Sequence, residues 1–233
     1  NQTLSSLTLV DYDLSKLEVV IVDDGSPLEH RPNLDHYRKH FSVQYLWQED
    51  QGYRLSAARN LGISKAQYNT IILLDCDLAV MPSFVKDHVE ALSKFKHGIS
   101  IGFRDSHTSL PPSEQCDFET KCPSLIAIKI SEDWRLGRLE SNPRYLESRN
   151  CWRLCSGGNI GFSKETFKII GNFDERFNFW GGEDTEWAYR AYKVGVHFVA
   201  CQSVNSVHFE SQSSEYQVDR TYLETEKVNQ LRS

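Results

Sequence analysis

Asp75 and Asp77 flank Cys76 directly after the apolar run Thr70–Leu74 (TIILL). If the chain stays extended past that run, both carboxylates project the same way. Two carboxylates at the end of a buried strand are costly unless a cation neutralises them. Hard oxygen donors favour Mg2+ or Mn2+, ions that keep some water and bridge to substrate phosphates. A D-x-D triplet alone fits a solvated loop equally well. Its place after TIILL is what points to a metal or phosphate site. The acids Asp23-Asp24, followed by Gly25-Ser26, end a second apolar run at residues 17–22 (LEVVIV). A carboxylate there can accept from a base N–H or a ribose hydroxyl, although Asp and Gly also serve turn geometry alone.

A third group, Trp180-Gly181-Gly182-Glu183-Asp184, precedes TEWAYR. Paired glycines let backbone approach a ligand closely. A helix N-terminus explains the two acids through its dipole, but it does not explain Trp180 or the glycines. An aromatic face beside carboxylates suits a sugar, and a carboxylate held at a sugar hydroxyl is a general base. His208 lies in an apolar stretch, V-H-F. It is either a satisfied core histidine or an imidazole ligand for the metal.

The elements that must position these groups follow from periodicity. Runs 17–22 and 70–74 lack alternation and are rich in β-branched residues, as in strands buried on both faces. Further strands are predicted at 43–47, 99–103, 157–162, 196–200 and 204–209. Helices are predicted at 32–41, 55–66, 82–95, 163–170 (with Ser163 as cap), 184–194 (stopped by Gly195) and 215–231. Strands alternating with helices define a doubly wound, mostly parallel α/β sheet. Ligands in such sheets bind beyond the carboxyl ends of the strands, where both acidic motifs fall. Residues 104–153 break the rhythm and read as a partly ordered excursion; Trp134 and Trp152 within it suit either sugar stacking or core packing.

The chain has 233 residues, 39% hydrophobic and 25% charged, enough for one packed domain. A net charge of −6 argues against binding to long nucleic acid. No stretch reaches the roughly 20 apolar residues of a membrane span. Residues 1–9 lack the basic and apolar regions of a signal peptide and read as part of an amphipathic helix. None of the six cysteines forms a C-x-x-C pair. Reduced thiols in a cytoplasmic protein are expected, with a Cys116–Cys122 disulfide as the competing arrangement.

Five pieces, VVIVDDGSP, QEDQGYRLSAARNLGI, IILLDCDLAVMP, CSGGNIGFSKETF and GNFDERFNFWGGEDTEWAYR, stand in an order that resembles glycosyltransferase family 2 and related GT-A enzymes. The last piece is most similar to the galactosyltransferase and N-acetylgalactosaminyltransferase branch, including chondroitin-polymerase-type domains. The resemblance covers residues 17–208. It implies that Asp23 and Asp24 hold uracil and ribose, with Arg59, Asn60 and Arg54 at the nucleotide or its phosphates. It implies Asp75 at the ribose, and Asp77 with His208 at Mn2+ or Mg2+. It also implies Trp180, Gly181, Gly182 and Glu183 around the donor sugar, and Asp184 as the base of an inverting reaction. The expected donor is a UDP-sugar carrying a hexose or N-acetylhexosamine, and the acceptor a glycan or glycoconjugate, as in polysaccharide biosynthesis. The resemblance divides a single GT-A domain, 1–233, into a nucleotide half (17–103), an acceptor-side excursion (104–153), a donor-sugar half (154–209) and a C-terminal helix (210–233). Any membrane association is expected to be peripheral, at the inner surface.

There is one departure. The family opens with a strand and a Pro-Thr-Tyr-like turn, and nothing before Leu17 supplies them. The sequence is therefore expected to begin inside the fold and to lack that first strand, leaving two ladders open. The rival readings are a sugar-nucleotide nucleotidyltransferase, which would release pyrophosphate, and an inactive nucleotide- or carbohydrate-binding module. The first lacks its basic Gly-rich loop here, and the intact acids oppose the second.

Overall fold

The computed structural model describes residues 2–108 and 129–210. Helix α1 (Gln2–Leu7) leads to strand β1 (Glu18–Asp23), then β2 (Ser42–Trp47). Helix α2 (Leu55–Lys65) precedes β3 (Thr70–Leu74), a short β4 (Leu78–Val80) and helix α3 (Phe84–Ser93). Strand β5 (Gly98–Thr108) is followed by β6 (Lys129–Ser131) and helix α4 (Trp134–Ser141). The last elements are β7 (Asn159–Ser163), α5 (Lys164–Ile170), α6 (Glu183–Lys193) and β8 (His197–Glu210).

The strands form two sheets. β1 and β2 pair in parallel, from Glu18↔Ser42 to Asp23↔Trp47. The larger sheet runs β3-β7-β5-β8-β4, with β6 on the far part of β5. Among the described residues, no strand pairs with the second edge of β1 or of β3. The expected mostly parallel sheet is corrected in one respect. β5–β8 is parallel, but β7 runs antiparallel to both of its neighbours, and β4 and β6 are antiparallel to theirs. β3, which leads to Asp75, and β5, which carries Arg104, still share one direction, because β7 lies antiparallel between them.

Other boundaries follow local chemistry. The Ser163 side chain accepts from Thr166 N and caps α5, as its type predicts. Gly195, at φ 79°, takes the left-handed stop after α6. The helix predicted at 32–41 is reduced to a single 3-10 turn, Tyr37–Lys39. Asn33 Oδ1 accepts Asp35 N at 2.9 Å, an Asx turn that competes with helix just after Pro32. The two late strands predicted at 196–200 and 204–209 are one strand, β8. A register shift opposite Ile101–Arg104 of β5 absorbs the break in pattern. The predicted helix at 215–231 and the Cys116–Cys122 pair lie outside the described residues.

Two apolar clusters hold the sheets. In one, Phe162, Phe173 and Trp187 pack together, with Phe173 stacked on Trp187 at 4.8 Å and the indole donating to Gly171 O at 2.8 Å. The other gathers Leu4, Leu7, Val10, Tyr37, Phe41 and Phe84, and both β1 and β3 lean on it through Val19, Ile21, Ile72 and Leu74. A buried polar chain runs through the larger sheet. His88 Nδ1 lies 2.7 Å from Ser100 Oγ, and its Nε2 2.8 Å from Asn159 Oδ1. Asn159 Nδ2 donates to Asn205 Oδ1 and Ser206 Oγ. Burial lowers the His88 pKa to about 4, against the opposing effect of the Asn159 hydrogen bond.

Candidate active site

The site begins where β1 ends. Asp23 accepts Ser26 N at 2.7 Å and the Tyr45 hydroxyl. Burial pushes the Asp23 carboxyl up, and these hydrogen bonds overcome it, leaving the group below its ordinary range. Asp24 accepts Gln48 Nε2 at 2.5 Å and Arg54 N at 2.9 Å, with Arg54 Nη2 at 3.3 Å. Gly25 is needed here. Its φ is 105°, and a Cβ would come within 2.5 Å of Asp50 Cα. The turn after β1 is thereby locked to the segment that starts α2.

Arg59 and Asn60, on α2, face inward. The Arg59 side chain is only 7% exposed, and its Nη1 donates to Glu183 Oε1 at 2.8 Å. Nη2 lies 3.8 Å from Asp75 Oδ1, and the guanidinium sits over the Phe173 ring. Asn60 uses both ends of its amide on one loop, donating to Phe173 O and Glu175 Oε1 and accepting Phe173 N. Both residues therefore build the walls of the site, and their polar groups are occupied by protein.

Beyond β3, Asp75 N donates to Gly158 O at 3.0 Å. A Cβ on Gly158 would meet Asp75 Oδ2 at 2.0 Å, so this carboxylate can lie here only against a glycine. Burial raises the Asp75 carboxyl, with Arg59 opposing. Asp77 differs. Its Oδ2 is 3.2 Å from His208 Nε2, and that hydrogen bond holds it below the ordinary range. The structure brings Asp77 and His208 together because Leu78 of β4 pairs with His208 of β8. One carboxylate and one imidazole at this separation, in a polar site, fit Mn2+ or Mg2+ held by two protein groups and completed by water and phosphate oxygens. No larger metal-binding cluster occurs among the described residues.

The sugar-side residues frame the start of α6. Gly181 and Gly182 have φ of 87° and 101°, so the chain turns there as only glycine does readily. Trp180 is 58% exposed. Glu183 is buried against Arg59, and its Oε2 has no hydrogen-bond partner. Burial raises its carboxyl, and the Asp184 charge adds to this. Asp184 accepts Gly157 N at 2.8 Å and Thr185 N at 2.7 Å, which fixes its direction.

Two residues were missed by sequence reasoning. Tyr53 feels the charges of Glu183, Asp75 and Asp184; burial first, then Glu183, pushes its hydroxyl up to about 12. Arg104 acts electrostatically on both Asp75 and Asp77. A signal existed for Arg104, since it directly follows an apolar run, 99–103, just as Asp23 and Asp75 follow theirs, although β5 continues past it to Thr108. Tyr53 carried none beyond its place next to Arg54.

The fold thus sets acids at the ends of β1 and β3, the Asp77–His208 contact, and Arg59 between Asp75 and Glu183 at the start of α6. Residues 1–115 match the family model of glycosyl transferase family 2, and residues 138–218 that of the N-terminal domain of galactosyltransferase. The chain is 33% identical to the chondroitin synthase of Escherichia coli over 227 residues, which is 91% of this chain and 32% of that protein. It aligns with S. aureus TarS 1–349 in complex with UDP-GlcNAc at a TM-score of 0.64 and 17% identity, covering 96% of this chain and 59% of that one. Against GalNAc-T7 with UDP, GalNAc and Mn2+ the TM-score is 0.56 at 21% identity, covering 83% and 38%. These structural likenesses carry the fold. Residues 1–115 thus carry the glycosyl transferase family 2 match, and the chain spans about a third of the length of the chondroitin synthase it matches.

Proposed function

We propose that this chain transfers a hexose or N-acetylhexosamine from a UDP-sugar to a hydroxyl of a glycan or glycoconjugate acceptor, with inversion at the anomeric carbon. The observation that carries this reading is the shared site. The Asp77–His208 pair and the Glu183-Asp184 pair are joined through Asp75 and Arg59. The ligands named for TarS and GalNAc-T7 are of the class that such a site would take.

In this reading Asp23, Asp24 and Arg54 hold the uracil and ribose, and Asp75 faces the ribose. Arg59 and Asn60 act through the groups they anchor. Asp77 and His208 hold Mn2+ or Mg2+, which when bound offsets charge on the departing UDP. Trp180, Gly181, Gly182 and Glu183 shape the donor-sugar pocket. Asp184 takes the proton of the acceptor hydroxyl as that oxygen attacks the anomeric carbon. The bond to the phosphate oxygen breaks and its electron pair leaves with UDP. The unpaired thiols Cys76, Cys151, Cys155 and Cys201 support a reducing, cytoplasmic location. No helix among the described residues is long and apolar enough to cross a membrane.

Calorimetric titration of UDP, with and without Mn2+, tests the reading. Mn2+-dependent binding is expected, and Asp77→Ala should abolish the dependence. A folded chain that binds no UDP would refute it, and a product of retained anomeric configuration by NMR would refute inversion.

A further inference from the structure

We propose that Arg104 binds the diphosphate of the donor beside the Asp77–His208 pair, as a second cation for the leaving group. The inference rests on the reading above. On β5, Arg104 pairs with Ser206 of β8, and Ser106 pairs with His208. Residues two apart in a strand share a face, and so do partners in a parallel ladder. Arg104 therefore stands on the His208 face, one pair away. β4, on the other edge of β8, brings in Asp77 from the chain just before Leu78.

Arg104 is held by a built clamp. Its N–H donates to Asp133 Oδ2 at 3.0 Å. Asp133 is in a buried pair with Arg135, at 2.6 Å. The Arg135 guanidinium also donates to Gly102 O at 2.8 Å and Leu154 O at 3.1 Å. A buried ion pair that fixes three backbone positions is an expensive way to hold a loop, but it sets one side chain against the metal end of the site. Among the described residues, no carboxylate pairs with the Arg104 guanidinium.

Side-chain chemistry indicates the occupant. Arg59 is already paired with Glu183, whereas Arg104 offers a fork of donors suited to phosphate oxygens.

The test is calorimetry of UDP and of uridine with Mn2+ present, on the wild-type chain, Arg104→Gln and Arg104→Lys, with the fold checked by near-UV circular dichroism. Arg104→Gln is expected to weaken UDP by about ten- to a hundredfold, the range for a lost charged hydrogen bond, while uridine binds as before. Arg104→Lys should recover part of the loss by restoring the charge. Equal losses for UDP and uridine, or none for UDP, would overturn the assignment. A wild-type chain that binds no UDP would remove the underlying reading, and this inference with it.

Discussion

Replacing Arg59 with Met should both destabilise and disarm this protein, and the reason is Glu183. The pair is 2.8 Å apart, with side chains 7% and 5% exposed. Without the guanidinium, the Glu183 carboxylate loses the charged partner it has at Oε1, and among the described residues Oε2 already has none. Breaking a buried pair from one side costs about 3–5 kcal/mol, a large share of a typical stability of about 5–15 kcal/mol. The loss should depend on pH. Burial already raises the Glu183 carboxyl above its usual 4.5, and losing Arg59 raises it further. A folded pKa above the unfolded one favours folding at low pH, so the variant should recover as pH falls through that raised value. Urea unfolding followed by tryptophan fluorescence is a suitable assay, since Trp187 stacks on the Phe173 ring that Arg59 covers. Adding Glu183→Gln should restore most of the loss. A single variant costing under about 1 kcal/mol at neutral pH, or a double variant no better than the single, would refute this account.

Three further outcomes are expected. Gly158→Ala drives a methyl into Asp75, 2.0 Å from Oδ2, and should weaken UDP binding at least about tenfold with the fold retained, by calorimetry and circular dichroism. Asp184→Asn should leave UDP binding in place and cut turnover by about 10²–10⁴, measured as UDP release with an active acceptor. Folding stability should fall as pH drops from 6.5 toward about 4, because the unfolded chain protonates His88 in that window and the folded chain does not. The full effect is about 3 kcal/mol, and His88→Gln should flatten the stability–pH profile over that range.

Much of the site was legible because it stands at strand ends. TIILL and LEVVIV read as strands and are strands, but the burial on both faces expected of them is corrected: β1 is partly buried throughout and β3 has a single buried residue, because each has an edge with no partner strand among the described residues. Gly181, Gly182 and the acids after them were legible for a similar reason, since helix starts have their own chemistry. The direction of β7 was not. Its apolar run looks the same in either sense, and only its place between β3 and β5 fixes it. The roles of Arg59 and Asn60 were also hidden. The A-R-N triplet marks them as polar residues on a helix, but only packing shows that Glu183 and the Phe173 loop occupy them. Arg135, buried with Asp133, looked like any charge in a polar stretch.

The placement of β7 has a consequence for how this protein comes into being. Residues 70–74 and 98–108 are made early, yet they are joined only through residues 159–163, some ninety positions after β3. Long-range pairing of this kind is slow, because the intervening chain must be closed before any hydrogen bond rewards it. The nascent chain must carry the open edges of β3 and β5 until β7 emerges, and those edges are sticky in the meantime. The segment 1–115 that matches one family model supplies β3 and β5, and the segment 138–218 that matches the other supplies the β7 between them. The acids of the first acquire their places only when the second threads a strand between them.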